Sequence, residues 1–214
     1  ARRLWELYAL LTIICAILLY FGGMNAFDAI CHSLTTLASG GYSTKNSSIA
    51  YWASPAIHYI IIFFMILAGT NFSLLYGALI RRQGKRLIHD EEFRTYTYSI
   101  VGISLIIGIG LLLTRTFDGF STIEKSFRDA IFQTVATITT TGFTTSNYMT
   151  WHPILWLIIL LAIPMGGTAG STSGGIKTIR LHIMSKNILY EFKRVMHPKA
   201  IRPVRVNRRI VSEN

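Results

Sequence analysis

The sequence predicts an all-α polytopic membrane protein. It reads as tandem repeats of membrane helix, re-entrant pore loop and membrane helix, with the last helix broken by a Gly-rich loop. Three observations carry that expectation. The 214 residues are 51% apolar and only 14% charged, with a mean hydropathy of +0.43, whereas a soluble domain carries about 25% charged residues. The charges are lopsided, 21 Lys and Arg against 10 Asp and Glu for a net +11, and they cluster between apolar runs instead of covering a solvated surface. A series of residues also recurs in order at a nearly constant offset. Together these exclude a soluble enzyme as the leading reading. Cys15 and Cys31 lie in apolar or pore-like stretches and read as neither a disulfide framework nor a metal site.

In chain order, the first span is Leu4–Gly23, interrupted only by Glu6, which matches the roughly 20 residues that a bilayer core requires. A secretory signal competes for this stretch because Arg2 and Arg3 precede it. The apolar run is too long for that, and no small-residue cleavage site follows. The second span is Pro55–Ile80, read as continuous. The third runs roughly from Tyr98 to Thr114, and the fourth begins at Pro153. Arg2, Arg3, Arg81, Arg82, Lys85, Arg86, Arg94 and ten more basic residues from Lys177 to Arg209 fall on one side. Only Lys45, Arg115, Lys125 and Arg128 fall on the other. Basic loops stay cytoplasmic, so four crossings are expected, with both ends of the segment inside.

The chain repeats itself. Asp28-Ala29-Ile30 recurs as Asp129-Ala130-Ile131, an offset of 101, and the same offset carries Thr36 to Thr137, Gly41 to Gly142, Tyr42 to Phe143 and Thr44 to Thr145. After a three-residue loss the offset is 98, placing Pro55 on Pro153 and Gly69-Thr70 on Gly167-Thr168. The division that follows is a first repeat over 1–80, a basic cytoplasmic linker over 81–96, a second repeat over 97–185, and a basic cytoplasmic tail over 186–214.

The outer connections are the informative part. Residues 26–36 and 124–136 are each about three helical turns, too short to cross a bilayer. Each runs into a small-residue tract, Leu37–Tyr42 and Ile138–Phe143. A short helix dipping in, followed by a strand climbing out, is a re-entrant loop, tolerated at membrane depth only where protein or water shields it. Small residues and glycine let successive carbonyls face an axis and replace an ion's hydration shell. The dipping helix points its negative C-terminal end at the same place, which favours a cation. One such tract alone reads as an ordinary Thr/Gly-rich loop. Two, at equivalent places in a repeat, favour the pore.

These residues resemble the Trk/Ktr/HKT superfamily of potassium transporters, especially its bacterial TrkH/TrkG branch. The resemblance rests on LTTLASGGYST (34–44), TITTTGFTTSNY (137–148), PMGGTAGSTSGGIKTIR (164–180) and HPKAIRPVRVNRRIVSE (197–213). It implies four helix–pore loop–helix repeats around one pore, of which this chain holds the second and third. A longer parent is therefore expected, a reading that the start at Ala1 also suggests. Glycine in each filter strand implies potassium selectivity, and Gly41 and Gly142 match that position. The filter carbonyls implied are those of Ser39, Gly40, Gly41 and Tyr42, and of Thr140, Thr141, Gly142 and Phe143. Ala38 and Thr139 lie at the inner end.

The fourth span is interrupted by Gly166, Gly167, Thr168, Ala169, Gly170, Ser171, Thr172, Ser173, Gly174 and Gly175. Each of the five glycines costs up to about 1 kcal/mol in a helix relative to Ala, and Pro164 removes another backbone donor. A phosphate-binding loop is one reading, but the Walker spacing is wrong and no strand precedes it. A passive packing surface of small residues is another. The main expectation, which the resemblance also implies, is an intramembrane gate, with Lys177 at its inner end either at the pore mouth or snorkelling to the cytoplasm.

His32, His58 and His152 are isolated, and no catalytic or metal-ligating group has ligand spacing. The chain is expected not to be an enzyme and to need no cofactor beyond potassium as the transported ion. Asn71 reads as an interhelical hydrogen-bonding residue, and Asp28 and Asp129 as caps of the two short helices ahead of a role in concentrating cations near the outer mouth. Anionic lipid explains the basic tail better than nucleic acid does. The expected partners are membrane lipid, the parent chain's other repeats, a second copy in a homodimer and, by resemblance, cytoplasmic nucleotide-binding regulatory subunits. The expected location is the cell (inner) membrane. A sodium-permeable or ion-coupled symporter on the same scaffold, and a non-conducting assembly subunit, are the alternatives.

Overall fold

The computed structural model describes residues 2–114, 120–196, 205–207 and 209–210. Arg115 and most of the tail motif over 197–213 lie outside them. The helices are α1 (Arg2–Phe21), α2 (Ala26–Leu37), α3 (Pro55–Ala68), α4 (Phe72–Leu79), α5 (Gly84–His89), α6 (Glu91–Thr114), α7 (Phe120–Ile138), α8 (Pro153–Ala162) and α9 (Thr178–Met196). A two-residue antiparallel pair, β1 (Arg205–Val206) and β2 (Arg209–Ile210), follows.

Local chemistry sets several boundaries. Asn25 caps α2, its Oδ1 accepting from Asp28 N at 2.7 Å. Pro55 and Pro153 open α3 and α8, where a missing N–H does no harm. Asp90 Oδ1 accepts from Phe93 N at 2.9 Å at the head of α6. A short 3-10 turn precedes both α3 and α8, Ser48–Tyr51 and Tyr148–Thr150, so the repeat extends to the connections.

Among the described residues, α1 and α6 are each long and apolar enough to cross a membrane. The second span does not run through as expected. It breaks after Ala68 and bends by 110° into α4. Asn71 restarts the helix, its Oδ1 accepting from Ser73 N at 2.8 Å and Leu74 N at 3.2 Å, so it is an N-cap and not an interhelical bridge. The fourth span is broken where expected, leaving α8 with ten residues. The second short helix is longer than 124–136 and begins at Phe120, so Asp129 sits in its middle instead of capping it. Asp28 is likewise no cap: Asn25 is, and the Asp28 carboxylate accepts from Thr44 Oγ1 and pairs with Lys45 at 3.4 Å.

The larger core gathers Leu11 and Cys15 of α1, Ile61, Phe64 and Met65 of α3, Tyr96 of α6 and Phe132 of α7, all buried. A smaller one joins Ile107 and Leu111 of α6, Ala130 of α7 and Leu155 and Ile159 of α8. The opposite faces of α1, α6 and α8 expose Ile13, Ile17, Ile106, Ile109, Leu157 and Leu161. Such apolar faces suit a lipid or helix environment.

Candidate functional site

Two backbone tracts with the same construction come together at the ends of α2 and α7. After α2, Ser39 N donates to Thr36 O at 3.1 Å and Gly40 N to Thr35 O at 2.8 Å. After α7, Thr140 N donates to Thr137 O at 3.0 Å and Gly142 N to Ala136 O at 3.1 Å. Ser39 and Thr140, equivalent in the repeat, both take left-handed backbone, with φ of 53° and 56°. Gly41 and Gly142, two residues on, do the same at 66° and 80°. Left-handed residues therefore alternate with ordinary ones along both tracts. At Gly41 a Cβ would overlap the carbonyl of Thr141, so the two tracts approach each other backbone to backbone.

Side chains behind each tract hold it in place. Thr35 Oγ1 donates to Tyr42 O at 3.0 Å, and buried His32 spans Asp28 O at 2.7 Å and Ser43 Oγ at 2.9 Å. Thr139 Oγ1 donates to Val135 O at 2.7 Å and lies 2.8 Å from Thr141 Oγ1. The equivalent aromatics part company: Phe143 is fully buried near the His32 ring, whereas Tyr42 is exposed. The outer loops are joined by Ala50 N donating to Thr144 O at 3.0 Å.

The run 166–175 is folded against this pair of tracts. Its N-terminal edge is pinned by Gly166 N donating to Ile176 O at 2.8 Å and by Ile176 N donating to Pro164 O at 2.9 Å. Thr168 N donates to Gly69 O at 2.9 Å, Thr172 N to Ala68 O at 3.2 Å, and Phe72 N to Gly170 O at 3.2 Å. The loop thus takes up carbonyls that the bend between α3 and α4 releases. Gly69 and Gly167, equivalent in the repeat, meet here: a Cβ on Gly167 would press on the Gly69 backbone. Gly167 N donates to Ser173 Oγ at 2.9 Å, Ser171 Oγ lies 2.7 Å from Ser173 Oγ, and Gly170 and Gly175 take left-handed backbone.

Two contacts join loop and tracts. Thr172 Oγ1 lies 3.0 Å from Ser39 Oγ, and Gly174 N donates to Thr140 Oγ1 at 2.6 Å. Lys177 does not snorkel away. Its Nζ turns back to donate to Ser173 O at 2.6 Å and Ser171 O at 3.4 Å. From α6, the buried Glu92 accepts from Ala169 N at 2.5 Å and Ile179 N at 3.2 Å. The expected positions 38–42, 139–143, 166–175 and 177 are therefore brought into one contiguous region. Sequence reasoning missed Ala68, Gly69 and Glu92 as its neighbours. The repeat offers a signal for the first two, because Gly69-Thr70 aligns with Gly167-Thr168. Nothing in the pattern singles out Glu92. Among the described residues, no group of three His, Cys, Asp or Glu is placed to hold a metal ion.

Apolar helices long enough to cross a membrane, α2 and α7 ending in irregular tracts, and a broken helix packed against those tracts define a polytopic membrane scaffold. Comparison with known proteins gives the family. The model of the family described as "TrkH: Cation transport protein" matches residues 1–214, and the chain belongs to that family, one of transporters and not of enzymes. The chain is 38% identical over 214 residues to the Trk system potassium uptake protein TrkH of Escherichia coli K12. It is 33% identical over 217 residues to the Trk system potassium uptake protein TrkG of the same organism. In both cases the whole chain is covered, but it spans only 44% and 43% of those relatives. The crystal structure of the potassium transporter TrkH from Vibrio parahaemolyticus superposes with a TM-score of 0.91 at 36% identity, over 96% of this chain and 44% of that one.

Proposed function

We propose that this segment forms half of a potassium-translocating pore in the cell membrane, with a backbone-carbonyl filter and a gate made by the broken helix. The observation that carries the reading is the alternation of left-handed and ordinary backbone at Ser39 and Gly41 and, again, at Thr140 and Gly142. Such alternation turns successive carbonyls toward one side, where they replace a cation's water shell. The carbonyls of Ser39, Gly40, Gly41 and Tyr42 and of Thr140, Thr141, Gly142 and Phe143 line the ion path, with Ala38 and Thr139 at its inner end. The relatives' names as potassium uptake proteins support potassium as the ion.

Residues 166–175 close the path from below, held there by Thr172 on Ser39 and by Gly174 on Thr140. Lys177 contributes by keeping a positive charge at the inner side of the loop. In this reading 1–80 and 97–185 are two repeats joined by the linker 81–96, with 186–214 as a cytoplasmic tail and both ends inside. Other repeats of a longer parent complete the ring. A homodimer and cytoplasmic nucleotide-binding regulatory subunits belong to the same reading, through the family.

The test is rubidium uptake into proteoliposomes by the full-length protein that carries this segment, competed with potassium and then sodium. Block by potassium but not by a similar excess of sodium supports the filter. Equal competition by sodium points to a sodium-permeable or ion-coupled transporter. No uptake by folded protein, with any regulatory subunit supplied, contradicts the pore.

A further inference from the structure

We propose that Glu92 is the latch of the gate: one buried carboxylate that ties the loop to the helix leaving it. This rests on the reading of 166–175 as the gate and adds a positioning residue to it. Glu92 lies in the first turn of α6, outside both the filter tracts and the loop, and is only 6% exposed. Its Oε1 accepts from Ala169 N in the middle of the loop at 2.5 Å and from Ile179 N in the first turn of α9 at 3.2 Å.

Both donors need a partner. The first N–H groups of a helix have no intrahelical acceptor, and a glycine-rich loop has no ladder of its own to absorb them. Thr178 N is satisfied by Gly167 O at 3.0 Å and Arg180 N by Lys177 O at 2.9 Å, so Glu92 completes the turn. A carboxylate also complements the positive end of α9. Hydrogen bonds to an ionised group are about twice as strong as neutral ones, and burial keeps water from substituting for either donor.

The neighbouring residue fastens the same helix from the outside. Glu91 Oε2 accepts from Lys186 Nζ at 2.6 Å and lies 3.3 Å from His182 Nε2, while Thr95 Oγ1 lies 3.1 Å from His182 Nδ1. Glu91 therefore anchors the body of α9 to α6, and Glu92 ties the start of α9 to the loop. The loop and the start of α9 share this one carboxylate, so a displacement of either relative to α6 breaks a Glu92 bond. Glu92 is thus the point where movement on the cytoplasmic side is passed to the gate.

The test uses the full-length protein with Glu92→Ala, Glu92→Gln and a deletion of 168–173, each checked for folding by size exclusion. The readouts are basal rubidium uptake and its competition by potassium and sodium. Glu92→Ala is expected to raise basal uptake at least about tenfold, since one hydrogen bond to a charged group is worth that factor. Glu92→Gln keeps an acceptor oxygen and should give a smaller rise. Competition by potassium over sodium stays unchanged in both, which a general loss of packing would not leave intact. If the deletion raises uptake while folded Glu92→Ala and Glu92→Gln do not, the latch is wrong and the gate stands. If the deletion raises nothing, the gate reading fails and the latch fails with it.

Discussion

Gly41 is the position where backbone geometry and steric contact coincide, and Gly41→Ala is the perturbation they define best. Its φ of 66° costs an L-residue about 1–2 kcal/mol. The added Cβ would also overlap the Thr141 carbonyl, a backbone atom that cannot rotate away. Forcing an extra carbon into a packed site costs about 1–3 kcal/mol more. The sum, about 2–5 kcal/mol at 1.4 kcal/mol per tenfold, spans roughly 30-fold to several thousandfold in the population of the native tract. The assay is rubidium uptake by full-length protein, read as the ratio of inhibition by potassium to inhibition by sodium. Gly77→Ala in α4, where a Cβ meets no atom within 4 Å, is the control and should leave that ratio unchanged. In this segment a Cβ on Gly142 also meets nothing within 4 Å. If other repeats close the ring as proposed, so that the contact of Gly41 with Thr141 recurs at Gly142, Gly142→Ala in the full-length protein should match Gly41→Ala within a few-fold. A folded Gly41→Ala variant that keeps the unmodified discrimination would show that the left-handed backbone at Gly41 does not set ion selectivity.

Three further outcomes follow from named contacts. Lys177→Met removes the ammonium that donates to Ser173 O and Ser171 O, and basal uptake should rise several-fold; unchanged uptake would return Lys177 to the bystander role of a snorkelling residue. Thr172→Val removes the hydroxyl that donates to Ala68 O and meets Ser39 Oγ, and at about 0.5–1.5 kcal/mol for a hydrogen bond should raise uptake about two- to tenfold. Gly69→Ala places a Cβ against the Tyr96 hydroxyl and Thr139 Cγ2, which should lower thermal stability in detergent by about 1–3 kcal/mol. Adding Tyr96→Phe removes the nearer obstacle and should recover part of that loss. No recovery would mean that the hydroxyl is not the obstacle.

The helices and their punctuation were largely legible because membrane spans announce themselves by length and apolarity, and because the repeat offered each feature twice. The tract at 38–42 is recognisable by its alignment with 139–143, and the break at 166–175 by five glycines in ten residues. The break in the second span was not legible. Pro55–Ile80 is apolar almost throughout, and two glycines with one asparagine are tolerated in a membrane helix. What bends it is tertiary: the carbonyls of Ala68 and Gly69 are taken by Thr172 and Thr168, ninety-nine or more residues away in sequence. Asn71 then acts on its own backbone instead of on another helix. The sequence left Lys177 open between the pore mouth and the cytoplasm for a related reason. Snorkelling is the default for a lysine at a helix end, but here folded-back carbonyls of the loop lie within its reach. Glu92 carried no signal, since a carboxylate near a helix start most often serves its own helix.

Whether the two tracts coordinate a dehydrated potassium-like cation can be read from anomalous scattering by crystals of the full-length protein grown in rubidium. Rubidium peaks are expected on the axis bounded by the carbonyls of Gly40 and Gly41 and of Thr141 and Gly142, with none between residues 166 and 175 while the loop is closed. Ordered tracts without rubidium between them, in crystals that bind it elsewhere, would mean that these tracts are not an ion filter.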